Sequence, residues 1–263
     1  QCDPSPHIYA ITIDVAGEDE SARDEPGAAL QNPGRDSTAL TVFDIILEDS
    51  PSPLTPNPST LTDPSSVGQV SIPALSLPTY HVVARHQWTG IKHSSLFSRL
   101  TALIDLWQPT WLIIDATGVG QTLASFLLDR YPTITLPFVF TSASKSALGW
   151  NFITLIETGR YKEYQPDNSP PFQGGAGGGS DAGSLQRDFW TQVENCQYDI
   201  LDGPGRLMRW GVPDGTRDPR SGDLVHDDLL ISAALVSELD DKPFGLAVSK
   251  VLKAPDLFEK MDF

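Results

Sequence analysis

Apolar positions fall along this chain in two rhythms, and the change from one to the other organises the protein. The segment HIYAITIDVAG (7–17) is almost continuously apolar, as a central strand buried on both faces would be, and Asp14 stands at its carboxyl end. STALTVFDIIL (37–47) and YHVVARHQWTG (80–90) read as a second and a third strand. No helical pattern separates the three, so an antiparallel meander is expected. From Ser94 the period becomes helical: in SSLFSRLTALIDLW, Leu96, Leu100, Leu103 and Trp107 share one face behind a serine cap. PTWLIIDATGVG then gives a short apolar strand ending in Asp115 and a glycine turn, QTLASFLLDRY a helix, and TITLPFVF (133–140) a fifth strand. KSALGWNFITLIETGRY reads as a helix that buries Leu148, Phe152, Leu155 and Ile156 and stops at Gly159. A helix around Leu185–Val193, a hairpin-like CQYDILDGPGRLMRWGV and a last helix in LVHDDLLISAAL complete the series. Strands first, then alternating helices and strands, predict an α/β fold with a central mixed five-stranded sheet, the antiparallel meander followed by parallel strands, with flanking helices and an extra hairpin.

The stretches between these elements mark the edges of a single domain spanning 1–263. Residues 49–79 are dense in Pro, Ser and Thr and read as a surface insertion, GGAGGGSDAG (174–183) as a flexible loop, and 241–263 as a C-terminal tail. A chain of 263 residues, 40% hydrophobic, can bury a substantial core. No apolar run approaches the roughly 20 residues of a membrane-spanning helix, and QCDPSPHIYAITIDV lacks the charged and apolar regions of a signal peptide. Without an initiator Met, the chain reads as a domain cut from a longer protein. Two cysteines, Cys2 and Cys196, give neither a disulfide framework nor metal-binding spacing, which fits a reducing cytoplasm.

A net charge of −16 argues against a general nucleic-acid coat, but the charge is unevenly spread. Residues 1–49 set many carboxylates against only Arg23 and Arg35, whereas 145–220 carry Lys145, Arg160, Lys162, Arg187, Arg206, Arg209, Arg217 and Arg220. Such poles suit a protein that gathers cations at one place and phosphates beside it, although acidic loops also serve simply to keep a surface soluble.

Several chemistries are excluded by their motifs. There is no G-x-S-x-G elbow, no H-E-x-x-H pair among the five histidines, and TGVGQT matches neither phosphate-binding glycine loop. What remains are aspartates at privileged places. Asp14 and Asp115 end apolar strands, where an isolated carboxylate is costly, and the carboxyl ends of strands in open α/β sheets are where ligands collect. Asp227 and Asp228 head the last helix. Each has an ordinary reading as well: Asp115 as a turn former before glycine, the Asp227–Asp228 pair as a helix start. Together they suggest carboxylates that converge and repel, a repulsion that hard divalent cations relieve.

The ordered set ITIDVAGEDE…DSTALTVFD, WLIIDATGVGQTL, SASKSALGWNFITLIETGRY and HDDLLISAAL resembles the nuclease domain of the large terminase subunit of tailed bacteriophages, over most of residues 7–240. The resemblance implies a ribonuclease H-like fold and a metal-dependent endonuclease that cuts double-stranded phage DNA during genome packaging. It implies two Mg²⁺ or Mn²⁺ ions held by Asp14, Asp115 and Asp228, Asp14 bridging them, with Asp227 an additional or alternative ligand. Residues on a helix point about 100° apart per position, so Asp228 is expected to face the ions and Asp227 to cap the helix or touch a metal-bound water. Asp36, in Asp36-Ser-Thr38, would take a supporting role, and Lys145, placed before the next helix, a phosphate contact or merely a solvated cap position.

The same resemblance implies an ATPase motor, absent from this chain, with portal and small terminase subunit as further partners, and a place in the cytoplasm of the bacterial host. DNA would be held by some of Arg160, Lys162, Arg187, Arg206 and Arg209, with weak, salt-dependent affinity given so little basic surface. Two other readings stay open: a ribonuclease H-like junction resolvase or other nuclease, and a catalytically silent scaffold that binds partners.

Overall fold

The computed structural model describes residues 7–19, 34–47, 77–164, 182–203 and 205–242. The insertion expected at 49–79, the glycine loop at 174–183 and the tail at 241–263 lie outside the described residues save for their edges, as does Cys2. The first strand, β1 (Ile8–Asp14), pairs with β2 (Ser37–Ile46), and β2 with β3 (Thr79–Thr89), both antiparallel. Then follow α1 (His93–Trp107), β4 (Trp111–Asp115), α2 (Gly120–Arg130), β5 (Thr135–Phe138) and α3 (Ser142–Glu157). β4 adds to β1, and β5 to β4, in parallel. The meander and the parallel half are those the hydrophobic pattern predicts.

Three local differences from the pattern have identifiable causes. The central sheet gains a sixth strand, β6 (Tyr161–Lys162), giving the order β5-β4-β1-β2-β3-β6. Gly159, at φ 68, ends the helix as the sequence predicts; the N–H of Arg160 then donates back to the carbonyl of Leu155 (2.9 Å), and the chain leaves as a strand parallel to β3 that two residues are too few to announce. Helix α3 begins three residues earlier than its apolar face suggests, because Thr141 and Ser144 form a reciprocal capping box. Helix α1 starts without its serine cap: Lys92 occupies the cap position, and the Glu18 carboxylate, from the loop after β1, accepts the His93 N–H at 2.6 Å.

Alternation along the strands splits the core in two. Ile11, Ile13, Leu40, Val42, Leu112 and Ile114 face α1 and α2. Ala10, Ala39, Phe43 and Ile113 face α3, α4 (Ala182–Asn195), the hairpin β7 (Gln197–Ile200)–β8 (Met208–Gly211), and α5 (Asp228–Ala234), which runs on into a 3₁₀ turn at Leu235–Leu239. The near-continuous apolar reading of β1 and β4 reflects this burial on both faces. Every residue of α5 is buried, which is why its sequence shows no polar stripe. Its one central hydroxyl, Ser232, meets Thr41 of β2 at 2.6 Å, and its Leu230 N–H donates to Gln192 of α4 at 3.0 Å. These bonds fix the start of α5 at the end of the sheet where β1 and β4 finish.

Candidate metal centre

Parallel pairing sets Ile13 beside Ile114, so Asp14 and Asp115, one residue further on, leave the sheet side by side. Asp115 is buried, and its Oδ1 accepts the N–H of Thr117 at 2.7 Å. The turn-forming role is therefore real, and it fixes a carboxylate that still faces Asp14. The tight passage into α2 requires Gly120, where a Cβ would collide with the Asp115 carbonyl oxygen.

Asp228 enters from the opposite side. It is 4% exposed, and its Oδ2 accepts the N–H of Ser37 at 2.9 Å. Asp227 occupies the helix-cap position, but its side chain caps nothing, contrary to the expectation of a capping role. The carboxylate instead stands 3.6 Å from the ammonium of Lys145, while its backbone carbonyl takes the N–H of Ile231. Lys145 lies within the first turn of α3 rather than ahead of it. Its ammonium also lies 5.5 Å from the centre of the Trp210 ring, and Trp210 Nε1 donates to the Lys145 carbonyl at 2.7 Å. Asp36 supports from the far side: its carboxylate meets His226 Nδ1 at 2.6 Å.

The electrostatics register the gathering. Burial holds the Asp14 carboxyl well above the ordinary carboxylate range, the charges of Asp228, Asp115 and Asp227 push it further up, and Lys145 pulls it down. Burial raises Asp115 against the lowering hydrogen bonds of Thr117. Asp228 is pushed up to about 7, chiefly by burial, with the Ser37 N–H and His226 opposing and Asp36 and Asp227 adding. Asp14 thus feels the charges of three other aspartates and of Lys145.

The donor set fits a hard divalent cation, since every group is a carboxylate oxygen. Among the described residues, no three acidic, histidine or cysteine side chains meet closely enough to enclose an ion by themselves. Water and phosphate oxygens would have to complete the shell, as is usual for Mg²⁺.

The basic residues divide. Arg206 and Arg209 are exposed on the β7–β8 hairpin, whose final residue, Gly211, adjoins Asp227, and Arg187 is exposed on α4. Arg160 and Lys162 do not join them. Tyr161 pairs with Tyr80, Tyr80 with Ile45, and Ile45 with Ile8, six residues before Asp14. They therefore sit at the other end of the sheet, about 20 Å away. Arg160 is moreover buried, and both of its terminal guanidinium nitrogens bond the Asp240 carboxylate.

Three contributors escaped the sequence reading. Ser37 acts through its N–H, inside the quoted Asp36-Ser-Thr38. His226 stands in the quoted HDD. Gly211, at φ 141, is there because any Cβ would strike the Asp227 carboxylate. No sequence signal beyond a glycine at a strand end marks it.

The mixed sheet with helices on both faces has a ribonuclease H-like fold, similar to that of a solved large terminase nuclease. The large terminase nuclease of thermophilic phage G20c with bound cobalt superposes with a TM-score of 0.50 at 17% identity, covering 88% of this chain and 81% of that one. The magnesium-bound form of the same nuclease gives 0.49 at 18%, covering 90% and 82%. In sequence, a probable terminase ATPase subunit of Haemophilus phage HP1 is 24% identical over 172 residues, 59% of this chain and 28% of that protein. The chain thus spans less than a third of the length of the curated relative it matches. No family model matches the chain.

Proposed function

We propose that this domain is a metal-dependent endonuclease that cuts double-stranded phage DNA during genome packaging, in the cytoplasm of the bacterial host. The observation that carries the proposal is the placement of Asp14 and Asp115 at two adjacent parallel strand ends with Asp227 and Asp228, at a helix start, directed to the same end of the sheet beside Lys145. A similarly folded nuclease is known with bound cobalt, which supports a divalent ion at such a site.

Asp14, central and opposed by charge from both sides, would be the shared ligand of two Mg²⁺ or Mn²⁺ ions, Asp115 a ligand of one and Asp228 of the other. When bound, such ions supply an activated water and neutralise charge on the phosphate and leaving oxygen. The protein's own part is positional. The N–H groups of Thr117 and Ser37 hold Asp115 Oδ1 and Asp228 Oδ2, and so would orient both carboxylates toward bound ions. Lys145, paired with Asp227, would offer its cation to an arriving phosphate. Arg206 and Arg209, exposed on the β7–β8 hairpin, and Arg187, exposed on α4, would contact the DNA. The ATPase motor, the portal and the small terminase subunit would be its partners in delivering DNA.

The test is plasmid nicking and linearisation with Mn²⁺, with EDTA, and after Asp115→Ala. Cutting that needs the metal and disappears in the variant is expected. Undiminished cutting by the variant would overturn the site assignment.

A further inference from the structure

His226 has both ring nitrogens engaged by a segment distant in sequence: Nδ1 meets Asp36 Oδ1 at 2.6 Å and Nε2 meets the Gly34 carbonyl at 3.1 Å. It stands two residues ahead of Asp228, which in turn accepts the N–H of Ser37, the residue after Asp36. Two short segments, 34–37 and 226–228, are thus laced together by a side-chain pair and a carboxylate–backbone bond that run in opposite directions.

This lacing adds to the ordinary stabilisation of both segments. Ser37 pairs with Thr89 of β3 and meets its hydroxyl at 2.7 Å, but on the β1 side the ladder runs only as far as Ala39, opposite Asp14, and there the Ser37 N–H turns to Asp228 instead. At the other side, α5 has only seven residues and no side-chain cap, because Asp227 is turned to Lys145. The chain before it, from Gly211 to Val225, is a connecting loop held by its own bonds, such as Arg217 to the Gly222 carbonyl at 2.7 Å. The Ser232–Thr41 and Leu230–Gln192 bonds seat the helix as a body, and the Asp36–His226 pair adds a hold on the chain just ahead of its first residue.

We propose that His226, acting through Asp36 and the Gly34 carbonyl, is a positioning residue that holds the Asp228 carboxylate on the Ser37 N–H and so in register with Asp14. The inference deepens the metal-centre reading and rests on it for its functional consequence. A carboxylate fixed through one oxygen presents the other in a defined direction, and partners of this outer kind commonly affect metal affinity 10- to 100-fold. Asp36 thereby acquires a definite role: it anchors the histidine, and it need not touch the ion.

The experiment compares wild type, His226→Ala, Asp36→Ala and the double variant in the full chain. In EDTA, amide hydrogen exchange at Ser37 is followed by NMR. Mn²⁺ binding is measured by calorimetry and DNA cutting with Mn²⁺. Each single variant is expected to speed Ser37 exchange at least about tenfold and to weaken Mn²⁺ binding by about the same factor. The double variant should be no worse than either single one, since the two residues act as one device. Ser37 exchange and Mn²⁺ affinity unchanged in His226→Ala would overturn the inference while leaving an active wild type, and the nuclease reading, intact. A wild type that neither binds Mn²⁺ nor cuts would instead remove the nuclease reading, and Ser37 exchange would still decide whether His226 holds Asp228.

Discussion

The carboxylate of Asp227 faces the ammonium of Lys145 at 3.6 Å, across a space that exists because residue 211 is glycine. Two adjacent aspartates are thereby given different work: one is neutralised by a lysine of α3, the other is buried against the N–H of Ser37. Asp228→Asn should lower DNA cutting at least about 100-fold, beyond the range of outer partners, whereas Asp227→Asn should cost about 10-fold. Turnover with saturating Mn²⁺ measures both, and equal losses would mean that the two aspartates share one role.

Gly211→Ala tests the same relationship without altering a charge. Its φ of 141 is unfavourable for any residue with a Cβ, and that Cβ would displace Asp227 from Lys145. A stability loss of about 1–3 kcal/mol is expected from the backbone strain alone, with cutting reduced to the level of Asp227→Asn. Denaturant midpoints and plasmid cutting, measured together, separate the two effects. A variant that folds normally and cuts like wild type would show the glycine to be incidental.

How much of this was written in the sequence depends on how local the signal is. Asp14 and Asp115 could be found because buried strands have a continuous apolar pattern and each ends in a carboxylate. Their approach then follows from parallel pairing. The sixth strand was hidden because two residues carry no period, and the cap of α1 because its acceptor, the Glu18 carboxylate, arrives from another loop. Arg160 and Lys162 looked like DNA contacts because they are basic and near Lys145 in sequence. Which end of a sheet a strand begins at is a property of topology, and β6 starts beside the beginning of β3. His226 was in view within HDD, but its role depends on Asp36, which only tertiary structure brings to it.

Stability should depend on pH through the same carboxylates. Asp228 titrates near 7 in the folded protein, raised chiefly by burial, and Asp14 and Asp115 are raised as well. An unfolded aspartate titrates near pH 3.9. Between about pH 4 and 7 the unfolded chain therefore releases protons that the folded one keeps, so stability falls as pH rises through that window and levels off above it. In EDTA the melting temperature should be several degrees lower at pH 8 than at pH 5, given about 2–4 °C per kcal/mol for a chain of this size. Mn²⁺ at pH 8 should recover it, and Asp228→Asn should flatten the pH dependence. A metal-free melting temperature that rises over this range would contradict the crowding of carboxylates.

The two kinds of arginine can be told apart by opposite outcomes. Arg160 is buried, with bonds to Asp240, Thr158 and the Pro78 carbonyl, so Arg160→Ala leaves Asp240 with the Tyr80 O–H but without its ion pair and should cost about 1–3 kcal/mol, less than a fully buried pair because Asp240 is partly solvated. Its effect on DNA affinity should be nil. Arg209 is largely exposed, with a side chain 75% accessible and only a 4.0 Å approach to Asp199, so Arg209→Ala should leave the melting temperature unchanged. If the hairpin lies along the DNA, the same change should lower affinity and reduce the slope of log affinity against log salt by about 1. Binding to a short duplex in Ca²⁺, titrated over several salt concentrations, gives both numbers. Loss of DNA affinity in a stably folded Arg160→Ala, with Arg209→Ala unaffected, would place the DNA at the opposite end of the sheet and away from the carboxylates.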